Sequence, residues 1–440
     1  MANVLIAPYP SHGHVNPTLK AARALRERGH HVVYAGPVDA RELVLRAGFE
    51  FFPVLEAQFP EGSFHAFGAR GFLEHVRKLR QYSRRVDDAL KAIGDGALDD
   101  LFERTRPDVV VCDSMLPYPA MVARSRQVPA VFFNVTIPRE LVHPFLARPA
   151  TALPRRVRAV GVHTLLSVME LLGVAPAMRK RNARIAQRYG YPVEELATEP
   201  EPILVRGIPE LILAPREFAE PSGSVDSTYL YVGPSVDLDR PPSDFPWERL
   251  ASDKPLVLFS LGGMGGYSRA LETRVLDAMF EVARARPQWQ FVFAVNPTHE
   301  TQRFDALSNV VAVKHAPLLQ LLERAAVAIT HGGFNTVKEC IYFGVPMVVV
   351  PLAFDQPAVA RQVELRGLGV HCPPKTLDAS QMLRHLDALV GDPRWRKAME
   401  PLRERFHDSE RNASAADAIE QLLQAPGGRT AAPTPAASAR

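Results

Sequence analysis

Two short runs in the 440-residue chain carry side chains and backbone able to do chemistry. The first is Thr330-His331-Gly332-Gly333-Phe334-Asn335-Thr336, which follows an apolar run at 327–329 and precedes an amphipathic stretch ending near Phe343. Paired glycines allow a tight turn and close approach of a ligand. A helix starting there offers unpaired amides and the positive end of its dipole, so the run reads as a diphosphate cradle. His331 and the Thr336 hydroxyl can add donors to the same anion, although such a turn also serves simply to close a strand-to-helix connection. Glu339, three residues beyond Thr336, falls on the first turns of that helix, where its carboxylate would suit two ribose hydroxyls or merely face solvent. Asp355 and Gln356 follow the next strand candidate, at the carboxyl end where ligands of parallel sheets collect. An adjacent acid and amide can hold several sugar hydroxyls; taken alone, the pair also reads as a helix cap.

The second run is Pro10-Ser11-His12-Gly13-His14-Val15-Asn16-Pro17, directly after the first apolar run. Asn16 and Pro17 suit the cap and first turn of a helix, which would leave His12 and His14 in a loop at the sheet edge. Imidazoles titrate near neutrality, so one of the two could serve as a general base, or both could be surface histidines. Asp113 ends the run 109–112. If that strand lies beside the first, its carboxylate can orient an imidazole and stabilise its cation. The glycine-rich Leu261-Gly262-Gly263-Met264-Gly265-Gly266 lacks the dinucleotide spacing and reads as a second loop approaching phosphate or sugar. No His-Glu-x-x-His, Walker-type or Gly-x-Ser-x-Gly motif occurs. Asp237-Leu238-Asp239 formally resembles a metal-binding acid pair, but it lies in a proline-rich stretch and is assigned no metal.

These residues need a scaffold of alternating strands and helices. Residues 4–7, 31–35, 109–112 and 130–133 read as strands, with helical patterns at 16–28 and 118–126. The alternation restarts with strands at 256–260, 290–295, 310–313, 327–330 and 347–350 and helices at 270–286 and 335–343, so two parallel-sheet lobes are expected. Between them, 233–255 carries Pro234, Pro241, Pro242, Pro246 and Pro255 and reads as a linker.

Hydrophobic residues make up 47% and charged residues 23%, enough for a packed core and against a disordered chain. A net charge of +4 over this length is too dilute to announce a nucleic-acid binder. Cys112, Cys340 and Cys372 lie too far apart for a disulfide framework or a zinc set. With no secretory pattern at the start and no apolar run long enough for a bilayer, a cytoplasmic location is expected. Residues 139–190 hold ten basic side chains against Glu140 and Glu170, a local net of +8. A solvated helix face is the leading reading, and weak peripheral contact with an anionic membrane surface is the minor one.

Together these motifs resemble the family 1 nucleotide-sugar glycosyltransferases of GT-B fold, which include plant and antibiotic-tailoring enzymes. The most specific stretch is 315–356, where His331, Gly333, Asn335, Thr336, Glu339, Gly344, Pro346, Pro351, Asp355 and Gln356 hold the family spacing. The resemblance implies an α/β architecture with two Rossmann-like domains whose parallel sheets face across a cleft. Residues 1–233 would bind acceptor, 234–254 would link, 255–424 would bind donor and 425–440 would be a disordered tail.

By the same resemblance, His331, Asn335 and Thr336 contact the diphosphate at the Gly332-Gly333 turn, Glu339 the ribose, and Asp355 with Gln356 the sugar. His14 falls in a His-x-x-Pro segment as catalytic base, preferred over His12, with Asp113 orienting it. Where the family commonly has a Trp and then Pro-Gln, this chain reads His315-Ala316-Pro317-Leu318. His315 would stack on a pyrimidine, and both UDP and dTDP stay open. The runs 245–250 and 354–357 look like the carotenoid and macrolide branches, and 59–90 and 138–190 would line the acceptor pocket, though core packing explains their apolar content equally well. The expected activity is metal-independent, inverting transfer of a sugar, glucose by default, from a UDP- or dTDP-sugar to a hydroxyl of a hydrophobic small molecule such as a macrolide, other polyketide or carotenoid. A sugar-nucleotide epimerase of the same fold and a non-catalytic partner protein are the alternatives.

Overall fold

The computed structural model describes residues 1–64, 72–142, 174–196, 205–220, 228–240, 244–262, 269–295 and 301–424. Two parallel sheets form, each flanked by helices. The first contains β1 (Asn3–Ala7), β2 (His31–Gly36), β3 (Glu50–Pro53), β4 (Val109–Asp113), β5 (Ala130–Asn134), β6 (Glu210–Ile212) and β7 (Tyr229–Tyr231), in the order β3-β2-β1-β4-β5-β6-β7. The second contains β8 (Leu256–Ser260), β9 (Gln290–Ala294), β10 (Val310–Val313), β11 (Ala325–Thr330), β12 (Met347–Val349) and β13 (Gly369–His371), in the order β10-β9-β8-β11-β12-β13. Central strands such as Val-Val-Val-Cys-Asp of β4 and Leu-Val-Leu-Phe-Ser of β8 are buried throughout, as strands covered on both faces must be. Phe259, Phe291, Phe293 and Phe304 are fully buried in the second lobe, each side chain stabilising it by about 1.5–3 kcal/mol.

Strand order reverses between β1 and β4 in the first sheet and between β8 and β11 in the second. Chain segments leaving such neighbouring strands diverge to opposite faces and open a crevice at the carboxyl ends. Ala7 of β1 is paired with Cys112 of β4, which sets Asp113 beside the segment that leads to His14. Thr330 of β11 is paired with Ser260 of β8, which sets His331 beside the segment that leads to Gly262.

The architecture is the two-lobed one the resemblance implied, with local differences. The first helix is His12–Glu27, with Ser11 as its cap, so His12 and His14 belong to its first turn rather than to a preceding loop. The short strands β3, β6, β7 and β13 carry no long apolar run and were not expected. The final helix, Ala415–Gln424, returns to the first lobe: Ala415, Ala416 and Ile419 pack in one core cluster with Val4, Val15 and Leu25.

The stretch after β7 is tied down rather than free. Ser235 Oγ donates to the Pro17 carbonyl at 2.7 Å, and the Ser235 amide donates to Glu410 Oε2 at 2.7 Å. Asp237 forms an ion pair with Arg23, so the acid of the Asp-Leu-Asp run serves the first helix. Of the basic segment 139–190, Arg139 pairs with Glu210, Arg181 with Asp87 and Arg188 with Asp99, all acids from elsewhere in the chain. Residues 143–173, the glycine run 263–266 and the tail 425–440 lie outside the described residues. No helix among the described residues is long and apolar enough to cross a membrane.

Candidate active site

His14 Nδ1 lies 2.6 Å from Asp113 Oδ2. The carboxylate is 3% exposed and is further held by the backbone amides of Met115, 2.9 Å from Oδ1, and Tyr9, 3.4 Å from Oδ2. A carboxylate so placed favours the tautomer with the proton on Nδ1, which leaves Nε2 as the acceptor nitrogen. The His14 side chain keeps 16% of its surface exposed, so it is reachable, and His12 on the same turn is exposed. The Tyr9 ring lies 5.1 Å from the His14 ring and begins an aromatic cluster with Phe64, Phe59 and Tyr82. Burial pushes the Tyr9 phenol far up, so it stays a neutral wall of the site.

In the second lobe the His331 ring is sandwiched between two glycines. A methyl group on Gly262 would stand 2.7 Å from its Cε1, and one on Gly333 would stand 2.6 Å from its Nε2. Gly262 and Gly332 also have φ of +80° and +86°, where side chains are strained. Burial lowers the His331 imidazolium to about 4, against an opposing hydrogen bond with the Ser260 backbone, so the ring near neutral pH is uncharged and has a single N–H to donate. The helix Phe334–Phe343 starts immediately after this turn, its cap at Gly333, with Asn335 and Thr336 on its first turn.

Two hydrogen bonds join the lobes at this point. Asn335 Nδ2 donates to the Gly13 carbonyl at 2.6 Å, and Thr136 Oγ1 donates to Asp355 Oδ2. Asp355 occupies the cap position of the helix Gln356–Leu365 but does not cap it with its side chain. Burial raises its carboxyl, while Thr136, its own backbone and the charge of His14 oppose that shift. Gln356 Oε1 accepts from the amides of Leu352 and Ala353, both at 2.9 Å, which fixes the strand-to-helix loop. Glu339 forms an ion pair with Arg240 of the inter-lobe segment, and His315 is exposed just past β10. Thus His14 meets Asp113, His331 meets Gly262 and Gly333, and Asn335 and Asp355 reach the first lobe.

Sequence reasoning missed Thr136, Arg240 and the Gly13 carbonyl. Thr136 follows β5 by two residues, so the rule that ligands collect at strand carboxyl ends could have found it. Arg240 was hidden in a segment read as a spacer. Among the described residues, no group of three or more His, Cys, Asp or Glu is placed to hold a metal ion.

Lys338 makes the helix Phe334–Phe343 pH-sensitive. Its Nζ donates to the Pro234 carbonyl at 2.9 Å, and the side chain is 2% exposed. Burial lowers its ammonium from 10.5 to about 7, with Glu339 and Glu410 opposing. The unfolded chain therefore holds this proton more tightly between pH 7 and 10.5, so the Lys338 contribution rises with pH across that window, by up to ~1.4 kcal/mol per unit. Thermal unfolding at pH 7 and pH 9 should show wild type gaining stability relative to Lys338→Met; equal shifts in both would contradict a depressed lysine.

Comparison with known proteins adds a family context. Residues 289–422 match the family described as Erythromycin biosynthesis protein CIII-like, C-terminal domain. The chain is similar to NDP-glycosyltransferase YjiC of Bacillus licheniformis, at 25% identity over 97% of this chain and 98% of that protein. It is also similar to oleandomycin glycosyltransferase of Streptomyces antibioticus, at 28% identity over 96% and 91% of the respective chains. The crystal structure of the glycotransferase of kitacinnamycin superposes with a TM-score of 0.72 at 26% identity, covering 96% of this chain and 99% of that one.

Proposed function

We propose that this chain, a family 1 nucleotide-sugar glycosyltransferase of GT-B fold related to the antibiotic- and natural-product-tailoring enzymes that moves a sugar from a nucleotide-sugar donor to a small-molecule acceptor, uses His14 as the general base of an inverting O-transfer. The observation that carries this reading is the 2.6 Å contact between His14 Nδ1 and buried Asp113. His14 Nε2 takes the proton of an acceptor hydroxyl as its oxygen bonds to the anomeric carbon. The bond from that carbon to the diphosphate breaks in the same step, and the nucleoside diphosphate leaves. Asp113 stabilises the imidazolium that results. Negative charge growing on the leaving group meets neutral His331, the Thr336 hydroxyl and the amides that open the helix Phe334–Phe343. One displacement inverts the anomeric centre.

In this proposal residues 1–233 supply the acceptor side and 255–424 the donor side. Asp355 and Gln356 hold the sugar, Glu339 the ribose and His315 the base of UDP or dTDP, with glucose as the default sugar. The aromatic cluster of Tyr9, Phe59, Phe64 and Tyr82 beside His14 supports a hydrophobic hydroxylated acceptor such as a macrolide, other polyketide or carotenoid. Buried, unpaired Cys112, Cys340 and Cys372 support a cytoplasmic location.

The test incubates UDP- and dTDP-sugars with and without such acceptors and follows nucleoside diphosphate release and product configuration. A glycoside of inverted configuration, formed only with acceptor, is expected. An epimerised nucleotide sugar without acceptor would favour an epimerase, and a glycoside of retained configuration would overturn the single displacement.

A further inference from the structure

Pro17 is the sixth residue of the helix His12–Glu27. Proline there has no N–H for the carbonyl four residues earlier, and its ring crowds that carbonyl off the helix axis. The carbonyl is that of Gly13, adjacent to His14. The donor it lacks comes from the other lobe, as Asn335 Nδ2 at 2.6 Å. Asn335 is the second residue of the helix that follows the His331-Gly332-Gly333 turn, and its Oδ1 is buried without a hydrogen-bond partner. The amide is therefore held through its nitrogen, by the first lobe.

We propose that Pro17 is a positioning residue. By keeping the Gly13 carbonyl open, it creates a strut to Asn335 that fixes the spacing between the turn bearing His14 and the turn that receives the diphosphate. The strut rests on the assignment of His14 as base: its effect on turnover is the effect of setting that base against the anomeric carbon. Near-attack geometry is sensitive to shifts of an ångström or less, so loss of the strut is a kinetic event before it is a folding one. Proline at this depth disfavours the helix, and an ordinary residue would satisfy the Gly13 carbonyl internally.

The test is a double-mutant cycle on the full chain, using a donor and acceptor pair that supports turnover. Pro17→Ala restores an N–H able to draw the Gly13 carbonyl into the helix. Its melting temperature should equal or exceed that of wild type, its kcat should fall roughly tenfold, and its donor KM should stay within about twofold. In an Asn335→Ala background the same substitution should change kcat less than about twofold, because the strut is already gone. An unchanged kcat in Pro17→Ala, or the same fall in both backgrounds, overturns the proposal. Should circular dichroism show Pro17→Ala unfolded, Asn335→Asp takes its place: it keeps the shape, cannot donate, and must lower kcat at unchanged melting temperature and unchanged donor KM; an unchanged kcat, or a loss that falls on donor KM as a lost diphosphate contact would, is again fatal. The two readings separate cleanly. Intact turnover in His14→Ala removes the base itself, whereas a silent Pro17→Ala with a dead His14→Ala removes only the strut.

Discussion

His14→Ala should lower turnover about 10² to 10⁴-fold while leaving affinity for the nucleotide sugar close to that of the parent chain. The size follows from what is lost: a hydroxyl must shed its proton as it attacks, and the imidazole that would receive it is the one fixed 2.6 Å from Asp113. The selectivity follows from the division between lobes. His14 belongs to the first helix, whereas the candidate diphosphate and sugar contacts, His331, Thr336, Asp355 and Gln356, follow strands of the second sheet. Steady-state kinetics with saturating donor measures the first quantity, and calorimetric titration with UDP or dTDP measures the second. Turnover within a few fold of wild type would end the assignment of His14; lost nucleotide binding would move its role from base to structure.

His331→Ala is the second large effect, expected to reduce kcat on the order of 10² to 10³-fold, as for removal of a donor aimed at developing charge. The loss should fall on kcat more than on donor KM, since the diphosphate gains most of its charge on the way to the transition state. Burial holds the His331 imidazolium near 4, well below its ordinary 6.5, so this ring stays neutral across the working range and an acidic limb between pH 5 and 8 has another origin. The same shift carries a stability signature. The unfolded chain binds this proton more readily than the folded one, so the His331 contribution is complete above pH 6.5 and is lost as pH falls through 4. Urea midpoints at pH 7 and pH 5 should drop more for wild type than for His331→Ala. Equal drops, with kcat unimpaired, would place His331 outside the site.

Much of this site could be read from the residues because its chemistry is coded locally. A strand, a histidine, two glycines and a helix occupy consecutive positions, and backbone geometry alone makes that run a candidate anion cradle. The pairing of His14 with Asp113, distant in sequence, followed from a single topological assumption, that β1 and β4 are parallel neighbours, which they are. The beginning of the first helix was misread for an instructive reason. Asn16-Pro17 is a good helix start, and a carbonyl left unpaired upstream counts against an earlier one. The earlier start at His12 stands with Asn335, from the other lobe, satisfying that carbonyl, which no local rule anticipates.

The inter-lobe segment shows the same limit. Prolines, serines and aspartates read as a spacer, yet Ser235, Asp237 and Arg240 each engage a group from another element. Composition reports which residues are polar and is silent on their partners. The positive segment 139–190 repeats the lesson, since Glu210, Asp87 and Asp99 answer Arg139, Arg181 and Arg188 from outside that stretch of sequence.

The return of Ala415–Gln424 to the first lobe bears on how the enzyme can be rebuilt. Glu420 meets Arg28 at 2.6 Å and His30 at 2.9 Å, while Ile419 is sealed in the core beside Val4 and Leu25. A chimera that exchanges the halves at the proline-rich junction would graft a foreign last helix onto this seam and leave mismatched side chains at both contacts. Swaps of the amino-terminal half should therefore carry the last helix along with it, treating the two as one cassette.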